Sequence, residues 1–241
     1  MSKVILVTGA NAGIGFELTR LLAEKGHTVY IGARNAVSGK EAAESLQKKG
    51  FTTVKFVQLD VTKLPTIQAA AALIGSAEGH LDVLVNNAGI AKFGHDENAT
   101  TIALETIRDA METNFYGLIQ TTQTFLPLLR KSSNGVIVNV TTDMASNAFQ
   151  ARPDAQLHVV AYNTSKAAMN SYSIALAHEL KKDGIKVNLV TPGFTSTKLN
   201  SFGDGGKTTT DGALSILPWA LLDKDGPTCL FVDWNGKEFP W

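Results

Sequence analysis

Tyr162-Asn163-Thr164-Ser165-Lys166 sets a phenol and an ammonium four residues apart, which on a helix means one face and adjacent turns. A free tyrosine titrates near pKa 10, too high for efficient proton transfer at neutral pH. A nearby cation favours the phenolate and draws the titration toward the working range. The chemistry is therefore acid–base work on an oxygen atom. Such a pair arises easily by chance, so its meaning depends on what stands around it.

A second constellation is Thr8-Gly9-Ala10-Asn11-Ala12-Gly13-Ile14-Gly15, directly after the apolar run Val4–Val7. Glycines at this spacing permit a tight turn and let backbone N–H groups approach a pyrophosphate, which the following helix N-terminus also attracts. Strand, turn and helix in that order supply the context that the motif requires. The next apolar run ends Ile31-Gly32-Ala33-Arg34-Asn35. An acidic residue there holds the ribose 2′-hydroxyl of NAD, whereas Ala33 followed by Arg34 suits the 2′-phosphate of NADP. Ala12 departs from the base that NADP-preferring proteins often place before the second glycine.

These groups need a frame. Val4–Val7, Thr28–Ile31, Val54–Val57, Val83–Val85, Val136–Val140, Val187–Val190 and Cys229–Val232 read as strands, several of them apolar without alternation, as in strands covered on both faces. Helical stripes lie between them: Ile14 to Leu22, then 39–49, 62–78, 101–131, 159–182 and 209–222, the last with Pro218 as a kink or break. The alternation predicts right-handed crossovers and a mostly parallel seven-stranded sheet in one doubly wound α/β domain over 1–241. Residues 143–158 read as a loop. Residues 195–208 are glycine-rich, and a substrate lid is expected around 195–215.

Composition excludes several classes. Lys plus Arg number 22 and Asp plus Glu 22, so no uniform field draws nucleic acid or anionic lipid. The single Cys229 forms no internal disulfide, and the five scattered His read as structural or solvated, with no metal site expected. No signal core or membrane-spanning run is visible, so a cytoplasmic protein is expected.

Thr8 to Gly15, Asp60-Val61, Asn86-Asn87-Ala88-Gly89, Asn114 with Gly117, Tyr162/Lys166 and Pro192-Gly193 occur in the order of the short-chain dehydrogenase/reductase family, which the chain resembles from about Val4 to Thr197. Within that family it looks most similar to carbonyl-reductase-like members. The resemblance implies an NADP(H)-dependent reductase of small carbonyl compounds, or dehydrogenase of secondary alcohols. It makes Tyr162 the general acid or base, Lys166 the holder of the nicotinamide ribose, and Asn114 the anchor of a water relay. It assigns Gly9, Asn11, Gly13, Ile14, Gly15, Arg34, Asp60, Val61, Asn87, Ala88, Gly89, Pro192, Gly193 and Thr195 to the cofactor. A Ser normally ends the fifth strand and orients the substrate carbonyl; Thr142 stands there, adding a methyl and a restricted χ1. Ser146 is an alternative donor. The stretch from Thr142 to Tyr162 exceeds the family spacing, so Phe149, Arg152 and His158 are expected to shape the substrate pocket.

Relatives form homodimers or homotetramers through helices corresponding to 101–131 and 159–182, and the enlarged segment before Tyr162 could instead leave a monomer. Two other functions stay open at this point. One is a nucleotide sensor or scaffold with little catalysis, which the Ser-to-Thr change motivates. The other is a dehydratase or epimerase, whose additional acid–base groups are not apparent in the sequence.

Overall fold

The computed structural model describes residues 2–241. Its strands are β1 (Val4–Thr8), β2 (Thr28–Ala33), β3 (Val54–Gln58), β4 (Val83–Asn86), β5 (Val136–Val140), β6 (Lys186–Val190) and β7 (Phe231–Val232). They form one seven-stranded sheet in the order β3-β2-β1-β4-β5-β6-β7, and every pairing is parallel. The helices are α1 (Gly13–Glu24), α2 (Ala36–Lys48), α3 (Leu64–Glu78), α4 (Leu104–Met111), α5 (Gly117–Leu129), α6 (Asn147–Gln150), α7 (Val160–Leu180) and α8 (Thr209–Ala220).

Residues of β1 divide between two cores with the period of two that a strand imposes. Ile5 and Val7 join Leu18 and Leu22 of α1, Leu46 of α2 and Ile216 of α8. Val4 and Leu6 join Ile67 of α3, Phe125 of α5 and Leu176 of α7 on the opposite face. Burial on both faces explains why these strands lack polar alternation. The strand order reverses at β1 and β4, which opens a crevice at the carboxyl ends of the strands.

A buried polar bridge ties this crevice to α7. Asn86 donates to Thr122 (3.0 Å) and to its β5 neighbour Asn139 (2.9 Å), and Asn139 donates to Ser173 of α7 (2.7 Å). Hydrogen bonds between polar side chains in a low-dielectric core favour one relative placement of the elements that carry them. Here they join α5, β4, β5 and α7.

The seven-stranded, doubly wound sheet is as expected, with every pairing parallel. Several details of the elements differ from expectation. The helix expected over 101–131 is two helices separated by a π turn at Glu112–Tyr116. Such a turn inserts a residue and re-aims a side chain, and this one carries the buried Asn114. Pro218 does not break α8, because it lies in the last turn, where the helix ends at Ala220. The last strand keeps only Phe231 and Val232, since Cys229 takes a left-handed φ of 64°. The expected loop 143–158 contains a 3-10 turn at Asp143–Ala145 and the short α6. Of the lid expected over 195–215, residues from Thr209 onward are helical. The remainder is closed by pairing of Ser196 N–H with Lys207 C=O (2.9 Å) and of Lys207 N–H with Phe194 C=O (2.9 Å).

Candidate active site

The glycine turn sits on the crevice floor. Gly9 has φ 64° and Gly13 φ 60°, conformations that a side chain disfavours. A Cβ on Gly9 would lie 2.8 Å from the Ala88 Cα, so the turn can approach the β4 end only without one. The Thr8 hydroxyl accepts from the N–H groups of Asn87 and Ala88 (3.0 Å each), and the Asn87 amide donates to Thr8 C=O (2.8 Å). Gly9→Ala should therefore lower folding stability by about 1–3 kcal/mol and loosen the turn. A melting temperature unchanged from the parent would show that the close approach is dispensable.

The first turn of α1 has no side-chain cap and no acidic residue. Its backbone donors and dipole are left to an external anion, which fits a bound pyrophosphate. Beside it, Asn11 donates to Ser38 (3.3 Å), linking the turn to the loop that carries exposed Arg34. Asn35 caps α2 by accepting from Ser38 N–H (3.0 Å), which places Ser38 between Asn11 and that loop. The Asp60 carboxylate accepts from Thr62 N–H (3.0 Å) and hydroxyl (2.8 Å), shaping the entry to α3. Val61 packs where a Cβ on Gly117 would come within 2.9 Å of it, and its carbonyl accepts from Gln120.

The Tyr/Lys pair lies on α7 as its spacing demanded. Lys166 is 4% exposed, and its ammonium donates to Val140 C=O at the end of β5 (2.8 Å). Burial depresses the ammonium to about 8, because a charge stripped of water is disfavoured. Asn114 exchanges two 2.8 Å hydrogen bonds with the Ile90 backbone and donates to Ser165 (3.0 Å), which itself donates to Tyr162 C=O (2.9 Å). Gly89 fits over Asn114 and Lys166, since its Cβ would lie 3.3 Å and 3.5 Å from their polar atoms. Asn114, Gly89 and Lys166 are thus brought together from three separate elements.

Tyr162 is buried, and Phe93 meets its ring edge-on at 5.7 Å. Its phenol titrates above the ordinary tyrosine value, first because of burial and second because of the Asp143 carboxylate. The downward pull expected from Lys166 does not appear. Burial and a neighbouring anion outweigh a cation that is itself desolvated.

Thr142 is extended at the end of β5, and its hydroxyl donates to Asp143 Oδ1 (3.0 Å) and accepts from Met144 N–H (3.3 Å). Ser146, the alternative donor, is fully buried and caps α6 by accepting from Phe149 N–H (3.0 Å), so its oxygen is structural. Phe149 packs on Phe239 (5.3 Å), with Arg152 over its ring (5.3 Å). His158 lines a cavity of about 190 Å³ with Met144 and Asn163.

Across the crevice, Gly193 has φ 69° and crowds Lys207 and Trp234, while Thr195 donates to its carbonyl (3.2 Å). Lys207 donates to Pro192 C=O (3.3 Å) and stands over the Trp234 ring (4.5 Å). The segment descends to the glycine turn, where a Cβ on Gly13 would lie 3.8 Å from Thr197. The sequence-expected residues thus lie near strand carboxyl ends or on helical segments, with Asn114 in the π turn and Tyr162 and Lys166 on α7.

Sequence reasoning missed four groups: Asp143, Ser38, Phe93 and Glu97. Glu97 is 9% exposed, accepts from Ala161 N–H at the start of α7 (2.8 Å), and gives its carbonyl to Val160 N–H (3.3 Å). It caps the helix from 64 residues away, which no local signal reveals. Asp143 adjoins Thr142 in sequence and was legible by that adjacency alone, whereas Ser38 meets Asn11 only in the folded chain.

Known proteins match this architecture. A family model described as short chain dehydrogenase matches residues 3–204. A short-chain dehydrogenase/reductase, ATR10, from Stachybotrys chlorohalonatus is 35% identical, the match covering 97% of this chain and 89% of that protein. The solved structure of salutaridine reductase from Papaver somniferum superposes with a TM-score of 0.84 at 29% identity, covering 95% of this chain and 99% of that one. An NADPH-bound carbonyl reductase from chicken fatty liver gives a TM-score of 0.86 at 26% identity, over 100% of this chain and 99% of that one. Fold and crevice together define a nicotinamide-dependent oxidoreductase of small molecules. The chain belongs to the short-chain dehydrogenase/reductase family. Among the described residues no helix is long and apolar enough to cross a membrane, and no three His, Cys, Asp or Glu side chains cluster as metal ligands.

Proposed function

We propose that this single-domain chain is an NADP(H)-dependent reductase of aldehydes or ketones, also able to oxidise the corresponding secondary alcohols. The observation that carries the proposal is Tyr162 on one face of α7 with Lys166, whose ammonium is pinned at the β5 end against Gly89 and Asn114. Bound NADPH supplies the hydride that reduces the carbonyl carbon. Tyr162 gives its phenolic proton to the carbonyl oxygen, which stays bonded to carbon and becomes the alcohol hydroxyl, and the phenolate regains a proton from water. The raised phenol titration keeps Tyr162 protonated through neutral pH, the form that reduction needs. Oxidation draws on the phenolate and should accelerate as pH rises.

Lys166 would hold the nicotinamide ribose, with Asn114 fixing the backbone behind it. Gly9, Asn11, Gly13, Ile14 and Gly15 would cradle the pyrophosphate, Asp60 and Val61 would border the adenine, and Asn87, Ala88 and Gly89 would line the cofactor. Pro192, Gly193 and Thr195 would pass beside the nicotinamide amide, with the 195–208 segment covering the substrate. Thr142 would orient the substrate oxygen. The carbonyl-reductase neighbour and the superposed structures solved with NADP support the cofactor choice. A reducing cytoplasmic setting, in which Cys229 stays a thiol, accords with this reading.

Arg34, with Ser38 and Asn11 beside it, is the candidate 2′-phosphate holder. Arg34→Ala should raise the Kd for NADPH about tenfold and leave that for NADH nearly unchanged, as expected for loss of one charge-assisted contact. Equal losses for both nucleotides would remove Arg34 from that role.

The decisive experiment follows NADPH by fluorescence and absorbance across a carbonyl panel. Consumption with alcohol formation supports the reductase. The commitment of the Thr142 hydroxyl to Asp143 favours a second reading, a nucleotide sensor. Binding without consumption of NADPH on any substrate would establish that sensor instead.

A further inference from the structure

The carboxylate of Asp143 has no counterpart in the acid–base scheme above. Its Oδ1 accepts from the Thr142 hydroxyl (3.0 Å) and from Met144 N–H (3.0 Å), and its own N–H donates to the Thr191 hydroxyl (3.2 Å). Backbone and side chain are therefore both fixed at the β5 end. Oδ2 has no hydrogen-bond or ion-pair partner among the described residues, and the side chain is only partly exposed. Lys207 contributes a positive charge from the facing segment, but its ammonium is directed to Pro192 C=O and the Trp234 ring. A half-buried, oriented carboxylate with a free oxygen is a strong acceptor for a cation.

The Thr142 hydrogen bond adds a second consequence. A carboxylate only accepts, so the single hydroxyl hydrogen of Thr142 points at Asp143, while Met144 N–H occupies one lone pair. In this arrangement Thr142 offers a carbonyl oxygen no donor. A cation that pairs with Asp143 takes up negative charge and weakens its hold on the Thr142 hydrogen. That hydrogen then becomes available to an oxygen nearby.

We propose that Asp143 is a specificity-determining residue selecting carbonyl substrates that carry a protonated amine near the reacting carbon, and that this amine frees the Thr142 hydroxyl to orient the carbonyl oxygen. This rests on the reductase reading for the position of the carbonyl. Asp143 recognises the cationic group, and toward the carbonyl it is a positioning residue that works through Thr142. Neutral ketones of the same shape leave Asp143 unpaired and Thr142 turned away.

The test compares protonated N-methylpiperidone with neutral methylcyclohexanone, a cyclic ketone of similar shape. Both kcat/KM with NADPH and the Kd for the enzyme–NADPH complex are measured in the parent, Asp143→Asn and Asp143→Ala. The parent should favour the amine by about tenfold in kcat/KM, the scale of one ion pair in a partly dehydrated site. Both variants should abolish that preference, and Asp143→Ala should raise kcat on the neutral ketone by releasing Thr142. A merely structural defect would lower both substrates together and leave their ratio alone. An unchanged ratio across the three proteins overturns the proposal and leaves the reductase reading standing. Amine binding that depends on Asp143, without turnover of either ketone, would support cation recognition while removing the reductase reading. Binding of neither ketone to the parent complex would overturn the proposal.

Discussion

Tyr162→Phe should reduce kcat for carbonyl reduction about a thousandfold, with the Kd for NADPH within about twofold of the parent, because positioned proton transfer contributes on the order of 10²–10⁴ in rate. The substitution removes one oxygen and keeps the ring. Phe93 therefore retains its edge-on partner, and the Ser165–Tyr162 backbone contact does not involve the lost atom. The lesion falls on the proton and not on the fold, so melting temperature is the built-in control. The pH behaviour sharpens the case. With its phenol held above the ordinary value by burial and Asp143, the parent should reduce at a rate flat through neutral pH and oxidise faster as pH climbs. Retention of near-parental kcat by the Phe variant would end the acid–base assignment.

Lys166→Met is expected to act in two directions at once. Turnover should fall at least about a hundredfold if the ammonium pinned beside Gly89 and Asn114 holds the cofactor ribose as proposed. Stability should respond oppositely with pH. The native ammonium titrates at about 8, against 10.5 for a free lysine, through burial. Between those values the unfolded chain binds more protons, so this group adds stability as pH rises and withdraws it as pH falls through about 8. The full swing is on the order of 3 kcal/mol. Part of that gain is offset in the Met variant, because Val140 C=O loses its donor at a cost of about 1–3 kcal/mol. The measurable signature is the slope. Between pH 8 and 10 the cofactor-free parent should gain stability relative to Lys166→Met in urea unfolding. Parallel curves would mean that Lys166 is not buried as a charge.

Both predictions concern residues whose partnership is local. Tyr162 and Lys166 share a helix face because four residues complete about one turn, and any chain helical there would align them. The turn from Gly9 to Gly15 is equally local, since the positive φ values at Gly9 and Gly13 are conformations that glycine tolerates almost alone. Strands β1 to β6 were legible as short apolar runs, and the crossover rules then led to a parallel doubly wound sheet. Periodicity reads such patterns well because each spans fewer than about ten residues.

Departures began where distant segments meet. The π turn at Glu112–Tyr116 has no signature of its own in the pattern of 101–131, and what it aims, Asn114, finds Ile90 and Ser165 only in the folded chain. The upward shift of the Tyr162 phenol in the cofactor-free chain likewise lies outside local reading. Sequence supplies the lysine, but burial and the reach of Asp143 are properties of packing.

By itself the amino-acid order determined the glycine turn, the phenol–ammonium pair, the strand–helix alternation and thus the family. Tertiary structure alone decided that Glu97 caps α7 and that Lys166 is desolvated against Val140. The division follows from range. Backbone preference and side-chain spacing act over a few residues, whereas dielectric, hydrogen-bond direction and charge pairing exist only after remote segments have excluded water from one another.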